Sequence, residues 1–257
     1  MPVVVGTSGW HYDDWRPRFY PPDLGRPRWL EYYAKRFAAV EVNNAFYRLP
    51  ERTTFESWRA SVPEDFLMAV KASRYLTHVR RLQQPEEPVA RLMGRVTGLG
   101  ARLGPILLQL PPTLKVDPSR LDTTLACFGD SVRLAVEPRH ASWFVDEVRA
   151  VLENRGAALC LADGGPVDMP LWRTADWAYV RFHGGTARPR SCYKRRELER
   201  WVERMASLWL PAEDVYCFFN NDTGGCALRD ARWLADLCSL SGLGVTRVPS
   251  SRETHVG

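Results

Sequence analysis

Residues 40–48 read Val-Glu-Val-Asn-Asn-Ala-Phe-Tyr-Arg, a short apolar run that leads a carboxylate and two amides into an aromatic and basic loop. An apolar run with polar side chains at its C-terminal end recurs seven more times along the chain. Helical segments separate these runs, and strands that alternate with helices are typical of a parallel sheet. Eight repeats predict an α/β fold, a closed (β/α)8 barrel of the triosephosphate isomerase type. An open doubly wound sheet is the alternative, but no G-x-G-x-x-G follows the first strand.

The repeats can be placed along the chain. The strands are predicted within residues 3–5, 40–48, 66–71, 106–110, 133–137, 158–162, 178–183 and 215–219. The helices are predicted at about 27–39, 53–63, 86–99, 142–154, 194–209 and 229–240, with one more beginning at the cap and proline Asp117-Pro118. The sixth helix is expected to be short or missing, because Pro166 and Pro170 interrupt that connection.

Local signals refine three boundaries. Thr53-x-x-Glu56 predicts a capping box for the second helix, and Gly156 predicts the C-cap of the fifth. The tail after residue 246 is expected to be frayed. With no linker or low-complexity segment, residues 1–257 are expected to form a single domain.

Composition narrows the range of partners. The chain is 45% hydrophobic and 25% charged, and its formal charge of +5 favours anionic partners without requiring them. No apolar run reaches the roughly 18 residues of a membrane span, and no charged leader precedes an apolar stretch.

The six cysteines form no C-x-x-C pair, so we expect all six to be reduced in a cytoplasmic protein.

Side-chain alternation along the strands predicts which polar groups face the barrel interior. In the strand over 133–137, Leu134 and Val136 suit the helix layer, which leaves Glu137 and then Arg139 facing inward. The same rule applied to the other strands turns these residues inward: Glu41, Asn43, Lys71, Gln109, Asp163, Tyr179, Arg181, His183 and Asn220. They lie at the C-terminal ends of strands, where barrels of this type hold their active sites. Individual pairs such as Glu41 with Lys71 could be structural, but seven strands that each present a polar group favour a functional site.

Four kinds of chemistry fit this set. The first is acid–base catalysis on a small polar substrate, with Glu137 or Glu41 as the base and His183 or Lys71 as the acid. The second is metal-assisted catalysis by Glu41, Glu137, Asp163 and His183, which the neighbouring cations disfavour. The third is a Schiff base on Lys71.

The fourth kind is nucleic-acid or other polyanion binding without catalysis. Single strands need aromatic platforms beside phosphate contacts. The predicted loops supply basic residues together with the aromatic residues Trp10, Tyr12, Trp15, Tyr47, Trp143 and Tyr193. Such a pattern more commonly arises because aromatic residues close the mouth of the barrel without binding a ligand.

Several motifs in order along the chain resemble one family. They are Gly6-Thr7-Ser8-Gly9-Trp10, Tyr12-x-x-Trp15, Phe19-Tyr20-Pro21, Glu41-Val42-Asn43-x-x-Phe46-Tyr47-Arg48, Lys71, Thr77-His78, Gly104-Pro105, Gln109-Leu110-Pro111, Glu137-x-Arg139-His140-x-Ser142-Trp143, Arg181-x-His183-Gly184 and Asn220-Asn221-Asp222. The chain thereby resembles the YecE-like family, also called domain of unknown function 72. The resemblance implies a barrel of the triosephosphate isomerase type and a shared mouth, and it implies no established reaction. Pro138 departs from the family pattern, in which an aromatic residue usually follows the glutamate.

The sequence therefore predicts an enzyme that acts on an anionic substrate by hydrolysis, elimination or isomerisation, with no cofactor beyond an optional divalent metal. The predicted acid–base residues are Glu41, Lys71, Glu137 and His183. The predicted substrate-binding residues are Trp10, Asn43, Tyr47, Arg48, Gln109, Arg139, His140, Trp143, Asp163, Arg181, Asn220 and Asn221. Glu137→Gln is expected to abolish turnover and to leave the fold intact.

Overall fold

The computed structural model describes residues 2–130, 132–188, 190–209 and 214–256. Its parallel strands are β1 (Pro2–Ser8), β2 (Ala39–Val42), β3 (Leu67–Lys71), β4 (Leu103–Gln109), β5 (Leu134–Glu137), β6 (Ala158–Asp163), β7 (Ala178–Phe182), β8 (Val215–Phe219) and the short β9 (Gly244–Val245). Each of the strands β1 to β7 pairs with the next one in sequence, and β8 pairs with β1, so that β1 has β2 on one side and β8 on the other. This double pairing closes the predicted (β/α)8 barrel, while β9 lies beside the start of β1.

Helices surround the barrel. They are α1 (Trp29–Ala34), α2 (Asn44–Tyr47), α3 (Arg52–Ala60), α4 (Glu86–Val96), α5 (Pro118–Ala126), α6 (Asp146–Asn154), α7 (Arg195–Leu208) and α8 (Cys226–Leu240). The connection between β6 and β7 contains no helix, as the two prolines predicted. None of the helices in the described part of the chain has the length and apolar character needed to cross a membrane.

Two of the predicted helix boundaries are confirmed and one is wrong. The Asp117 carboxylate accepts a hydrogen bond from the Arg120 backbone N–H at the start of α5. Gly156 follows α6 in the left-handed region, with φ of 58°. The capping box at Thr53 does not form, because α3 begins one residue earlier and Glu56 instead pairs with Arg52 at 2.9 Å.

The interior of the barrel is packed in layers. The lower inward layer is Val4, Ala39, Ala69, Leu107, Ala135, Cys160, Tyr179 and Phe218, all nearly inaccessible. Alanines on β2, β3 and β5 leave room for the rings from β7 and β8. A separate and larger apolar core lies between the sheet and the helices.

Two predictions about the chain outside the barrel are wrong. The tail is not frayed within the described residues, since Arg247 pairs with Asp65 at 2.7 Å and the His255 backbone N–H donates to the Arg18 carbonyl. The cysteines are not all reduced, because Cys192 and Cys226 form a disulfide across 34 residues. Next to this disulfide, Asp230 of α8 accepts a hydrogen bond from the Tyr193 backbone N–H, a long-range contact that sequence spacing does not indicate.

Gly6 permits the close approach of β1 and β2. A Cβ atom at this position would lie 2.4 Å from the Ala39 carbonyl oxygen, which belongs to backbone that cannot move aside cheaply. We expect Gly6→Ala to lower the free energy of unfolding by about 3 kcal/mol, as measured by equilibrium urea denaturation.

Gly94 provides the matched control. It is exposed on α4, with no heavy atom within 4 Å of its would-be Cβ atom. Gly94→Ala should therefore raise the free energy of unfolding by about 0.5–1 kcal/mol through helix propensity. Equal effects of the two substitutions would contradict the assignment of Gly6 to the strand contact.

Candidate active site

A polar layer lies directly above the apolar interior, two residues further along β2, β3, β4, β5, β7 and β8. Because side chains alternate along a strand, the positions after Ala39, Ala135 and Tyr179 that face inward again are Glu41, Glu137 and Arg181. Lys71, Gln109 and Asn220 complete this layer on β3, on β4 and just after β8. The strand register therefore gathers the predicted polar residues at the C-terminal mouth of the barrel.

Arg181 bridges the two buried carboxylates. Its Nη1 atom lies 2.7 Å from Oε2 of Glu137, and its Nη2 atom lies 2.8 Å from Oε1 of Glu41. The side chains of all three residues are at most 1% exposed. This bridge ties β2, β5 and β7 together across the barrel interior.

Glu137 is surrounded by hydrogen-bond donors. Its oxygens also accept from Arg139 at 2.8 and 2.9 Å and from the Gln109 amide at 3.0 Å, and Nε2 of His183 lies 3.5 Å away. Burial would raise the pKa of Glu137, but the charge of Arg181, the contact with His183 and the charge of Arg139 together hold it well below its usual value. Glu137 is therefore a fixed anion and a poor general base near neutral pH.

Glu41 is held in a similar way. Its Oε2 atom accepts from the Tyr179 hydroxyl at 2.7 Å, and the Asn43 amide donates to Oε1 at 3.3 Å. Burial would raise the pKa of Glu41, yet the charge of Arg181 and the hydrogen bonds from Arg181 and Tyr179 lower this pKa overall. The predicted carboxylate pair thus binds and orients Arg181, and neither carboxylate lines the cavity above it.

Lys71 is in a different situation. Its Nζ atom lies 4.0 Å from the centre of the Phe46 ring, and it forms no hydrogen bond or ion pair with any residue that the structure describes. Burial, followed by the charge of Arg181, lowers the pKa of Lys71 to about 8 against the opposing effect of Glu41 and Glu137. Lys71 therefore titrates in the range useful for acid–base chemistry.

His78 also packs against the Phe46 ring, with ring centroids 4.9 Å apart in an edge-on arrangement. Burial, and then the positive charges of Lys71 and Arg74, lower the pKa of His78 to about 4. His78 is consequently neutral at pH 7 and adds no charge to the site.

These groups line a cavity of about 620 Å³ at the mouth. Seven of the predicted residues lie in its wall: Asn43, Tyr47, Lys71, Gln109, Arg139, Arg181 and Asn220. Glu41 and Glu137 contact these residues from beneath, and His183 accompanies them with Nδ1 3.1 Å from the Asn220 amide. The wall also contains five residues outside the predicted acid–base and substrate-binding sets: Tyr12, Asn44, Phe46, Arg74 and His78. The sequence predicts Tyr12 only as an aromatic platform for a polyanion.

The wall residues that the sequence did not predict lie in helical turns, and the periodicity of strands gives no information about such turns. Asn44 and Phe46 belong to the one-turn helix α2, and His78 lies in a wide helical turn over Tyr75–Val79. The motif Thr77-His78 was the one available signal for His78.

Besides Glu41, Glu137 and His183, six predicted residues lie outside the cavity wall. Trp10 and Trp143 are about 2% or less exposed, and the Trp143 indole donates to the Leu114 carbonyl, so neither ring walls the cavity. Arg48 is exposed beyond α2. The remaining three are His140, whose Nδ1 accepts from the Ser142 backbone, Asp163, which ends β6 close to Tyr193, and Asn221, which donates to Asp230.

The predicted metal donors do not converge. Arg181 already occupies oxygens of Glu41 and Glu137, and Asp163 lies outside the cavity wall. Within residues 2–130, 132–188, 190–209 and 214–256, no cluster of three or more histidine, cysteine, aspartate or glutamate side chains is placed to hold a metal ion.

The fold and the mouth define a barrel protein of the triosephosphate isomerase class with a buried, charge-paired layer beneath an open cavity. Residues 4–254 match the family model described as "Protein of unknown function DUF72". The chain belongs to this family, which confirms the resemblance seen in the motifs.

Relatives and solved structures agree with this assignment. The chain is 26% identical to UPF0759 protein YunF of Bacillus subtilis, over 93% of this chain and 95% of that protein. It is 30% identical to UPF0759 protein YecE of Escherichia coli, over 57% and 58% of the two chains. A crystal structure of a DUF72 family protein from Thermotoga maritima superimposes with a TM-score of 0.79 at 29% identity, covering 93% of this chain and all of that one. A structure described as SacUVDE, at 9% identity and a TM-score of 0.57, shares the fold alone.

The burial of Glu137 changes the expectation for Glu137→Gln. Removing this charge leaves the Arg181 guanidinium buried with a single carboxylate partner, so the fold should not remain unaffected. We expect the free energy of unfolding at pH 7 to fall by about 3–5 kcal/mol, as measured by urea denaturation.

The exposed pair of Arg195 and Glu199, at 3.5 Å, supplies the control. Glu199→Gln should change the free energy of unfolding by less than about 1 kcal/mol.

The effect of Glu137→Gln should also depend on pH. Because the folded-state pKa of Glu137 lies below the ordinary value of 4.5, the contribution of Glu137 to stability is complete above that pH and is lost as the pH falls further. The stability difference between the wild type and Glu137→Gln should therefore narrow in acid, and a difference independent of pH would contradict the buried ion pair.

Proposed function

We propose that the chain is an enzyme that acts on a small anionic substrate in the mouth cavity, by hydrolysis, elimination or isomerisation. The observation that carries the proposal is the charge left over in the cavity wall. Arg181 and Arg139 offset the two carboxylates beneath them, two positive charges against two negative ones. Lys71 and Arg74 remain without an ion-pair partner among the described residues, so the cavity favours an anion.

Lys71 is the best candidate for proton transfer in this cavity. A catalytic acid or base works best when its pKa lies near the operating pH, and the pKa of Lys71 is lowered to about 8. The two glutamates hold Arg181 and Arg139 in fixed positions. The two arginines are therefore suited to orienting the substrate rather than to exchanging protons with it.

The amide side chains favour a substrate that also carries hydroxyl groups. Gln109 donates its N–H groups to Glu137, and the Asn220 amide faces Nδ1 of His183. Their carbonyl oxygens remain to accept hydrogen bonds, and hydroxyl groups are suitable donors. The arrangement therefore supports a compact, polar anion.

Polyanion binding remains the second candidate because one aromatic side chain lies exposed at the rim. Tyr47 is 74% exposed in the cavity wall, beside the exposed Arg48. Against this candidate, Trp10, Trp15, Trp143 and Tyr193 are buried and offer no surface for stacking with bases. Because these four rings are buried, we propose a small anion rather than a polyanion as the ligand.

Arg74→Gln tests the proposed anion site. Removing one uncompensated cation from the wall should weaken the binding of inorganic phosphate about tenfold, because a hydrogen bond to a charged group contributes about 1.5–3 kcal/mol. Isothermal titration calorimetry at low salt measures this effect. Arg91→Gln is the matched control, since Arg91 pairs with Glu87 on the outer face of α4.

Two outcomes would contradict the proposal. The first is the absence of phosphate binding by the wild type at low salt. The second is tighter binding of a labelled single-stranded oligonucleotide than of phosphate, with a steep loss in salt and upon Tyr47→Ala, because that result would favour the polyanion candidate.

A further inference from the structure

Lysine is rare in this chain. The sequence has 35 basic residues of the arginine and lysine type, of which only Lys35, Lys71, Lys115 and Lys194 are lysines. Three of these lysines are exposed, and Lys71 is 8% exposed at the end of β3. The chain therefore places arginine at the other cationic positions of its mouth and a lysine at this one.

The distinction has chemical consequences. Arginine keeps its proton under all physiological conditions, whereas a buried lysine can lose its proton and become a nucleophile. Arg139 and Arg181 hold the fixed charges of the site, and their guanidinium groups bind the carboxylates beneath the cavity. A further arginine could supply positive charge at position 71, so charge alone does not account for the lysine.

The surroundings of Lys71 leave its amine available. The Phe46 ring covers one side of Nζ at 4.0 Å, and no described carboxylate forms an ion pair with it. With a pKa of about 8, roughly a tenth of the Lys71 side chains carry a neutral amine at pH 7. The amine faces the same cavity as Arg74 and Arg139, which can hold an anionic group nearby.

We propose that Lys71 forms a Schiff base with a small aldehyde or ketone that carries a phosphate or carboxylate group. This inference rests on the proposed function, since it names the substrate class of the same cavity. The neutral Nζ atom attacks the carbonyl carbon to form a C–N bond, and a proton moves from nitrogen to the former carbonyl oxygen. The hydroxyl group of this carbinolamine takes up a proton from the solvent, its C–O bond breaks as water leaves, and the nitrogen lone pair forms the C=N bond, so that a protonated imine remains with no change of oxidation state.

Reductive trapping tests the proposal. The wild-type protein is incubated with glyceraldehyde 3-phosphate and reduced with sodium borohydride, which converts an imine into a stable secondary amine. Intact mass should increase by one probe molecule less one oxygen atom, and peptide mapping should place the label on Lys71. We expect Lys71 to be labelled at least about tenfold faster than the exposed Lys115, because a greater fraction of its amine is neutral at pH 7.

Controls separate the site from general lysine reactivity. Lys71→Arg and Lys71→Met should abolish the fast label, whereas Lys115→Arg should leave it unchanged. Glyoxylate in place of the phosphate probe shows whether a carboxylate also serves, and uncharged glyceraldehyde should label Lys71 more slowly. Inorganic phosphate in excess should suppress labelling by the phosphate probe.

The outcomes also separate this inference from the proposed function. If phosphate binds in calorimetry but Lys71 is labelled no faster than Lys115 by either anionic probe, the Schiff base is wrong and the anion site stands. Equal labelling by charged and uncharged aldehydes would also overturn the proposal. The absence of phosphate binding to both the wild type and Lys71→Arg would overturn the proposed function itself.

Discussion

The salt bridge from Arg181 to Glu41 and Glu137 is the interaction on which the mouth of the barrel depends. Three fully buried charges at 2.7 and 2.8 Å join strands that lie far apart around the barrel. Removing one partner of such a group costs far more than an exposed ion pair, because the remaining charge stays desolvated. The strand register that closes the barrel and the bridge that crosses it therefore support one another.

The bridge also divides the polar residues by role. Glu41 and Glu137 are held as fixed anions, and their pKa values are lowered by the guanidinium groups that they bind. Lys71 lies at the same level without such a partner, and burial together with Arg181 lowers its pKa. The ionisable groups of the polar layer thus have two roles. Some hold a fixed charge, and Lys71 can exchange a proton.

Much of this arrangement could be predicted from the sequence, because a barrel repeats its pattern and a strand alternates its side chains. Periodicity placed Glu41, Lys71, Glu137 and Arg181 inward and indicated the missing sixth helix. It could not show that Arg181 binds both glutamates, since these contacts join residues 44 and 140 positions apart. The burial of Trp10 and Trp143, the position of His78 in a wide turn, and the disulfide between Cys192 and Cys226 are likewise set by tertiary packing that strand periodicity does not report.

The buried bridge leaves Lys71 as the titrating group of the cavity. Nuclear magnetic resonance of the lysine side chains, with ¹³C at Cε, tests it directly, because the chain has only four lysines. We predict that one resonance titrates near pH 8 and that this resonance disappears in Lys71→Arg. Four resonances that all titrate near 10.5 would contradict the account.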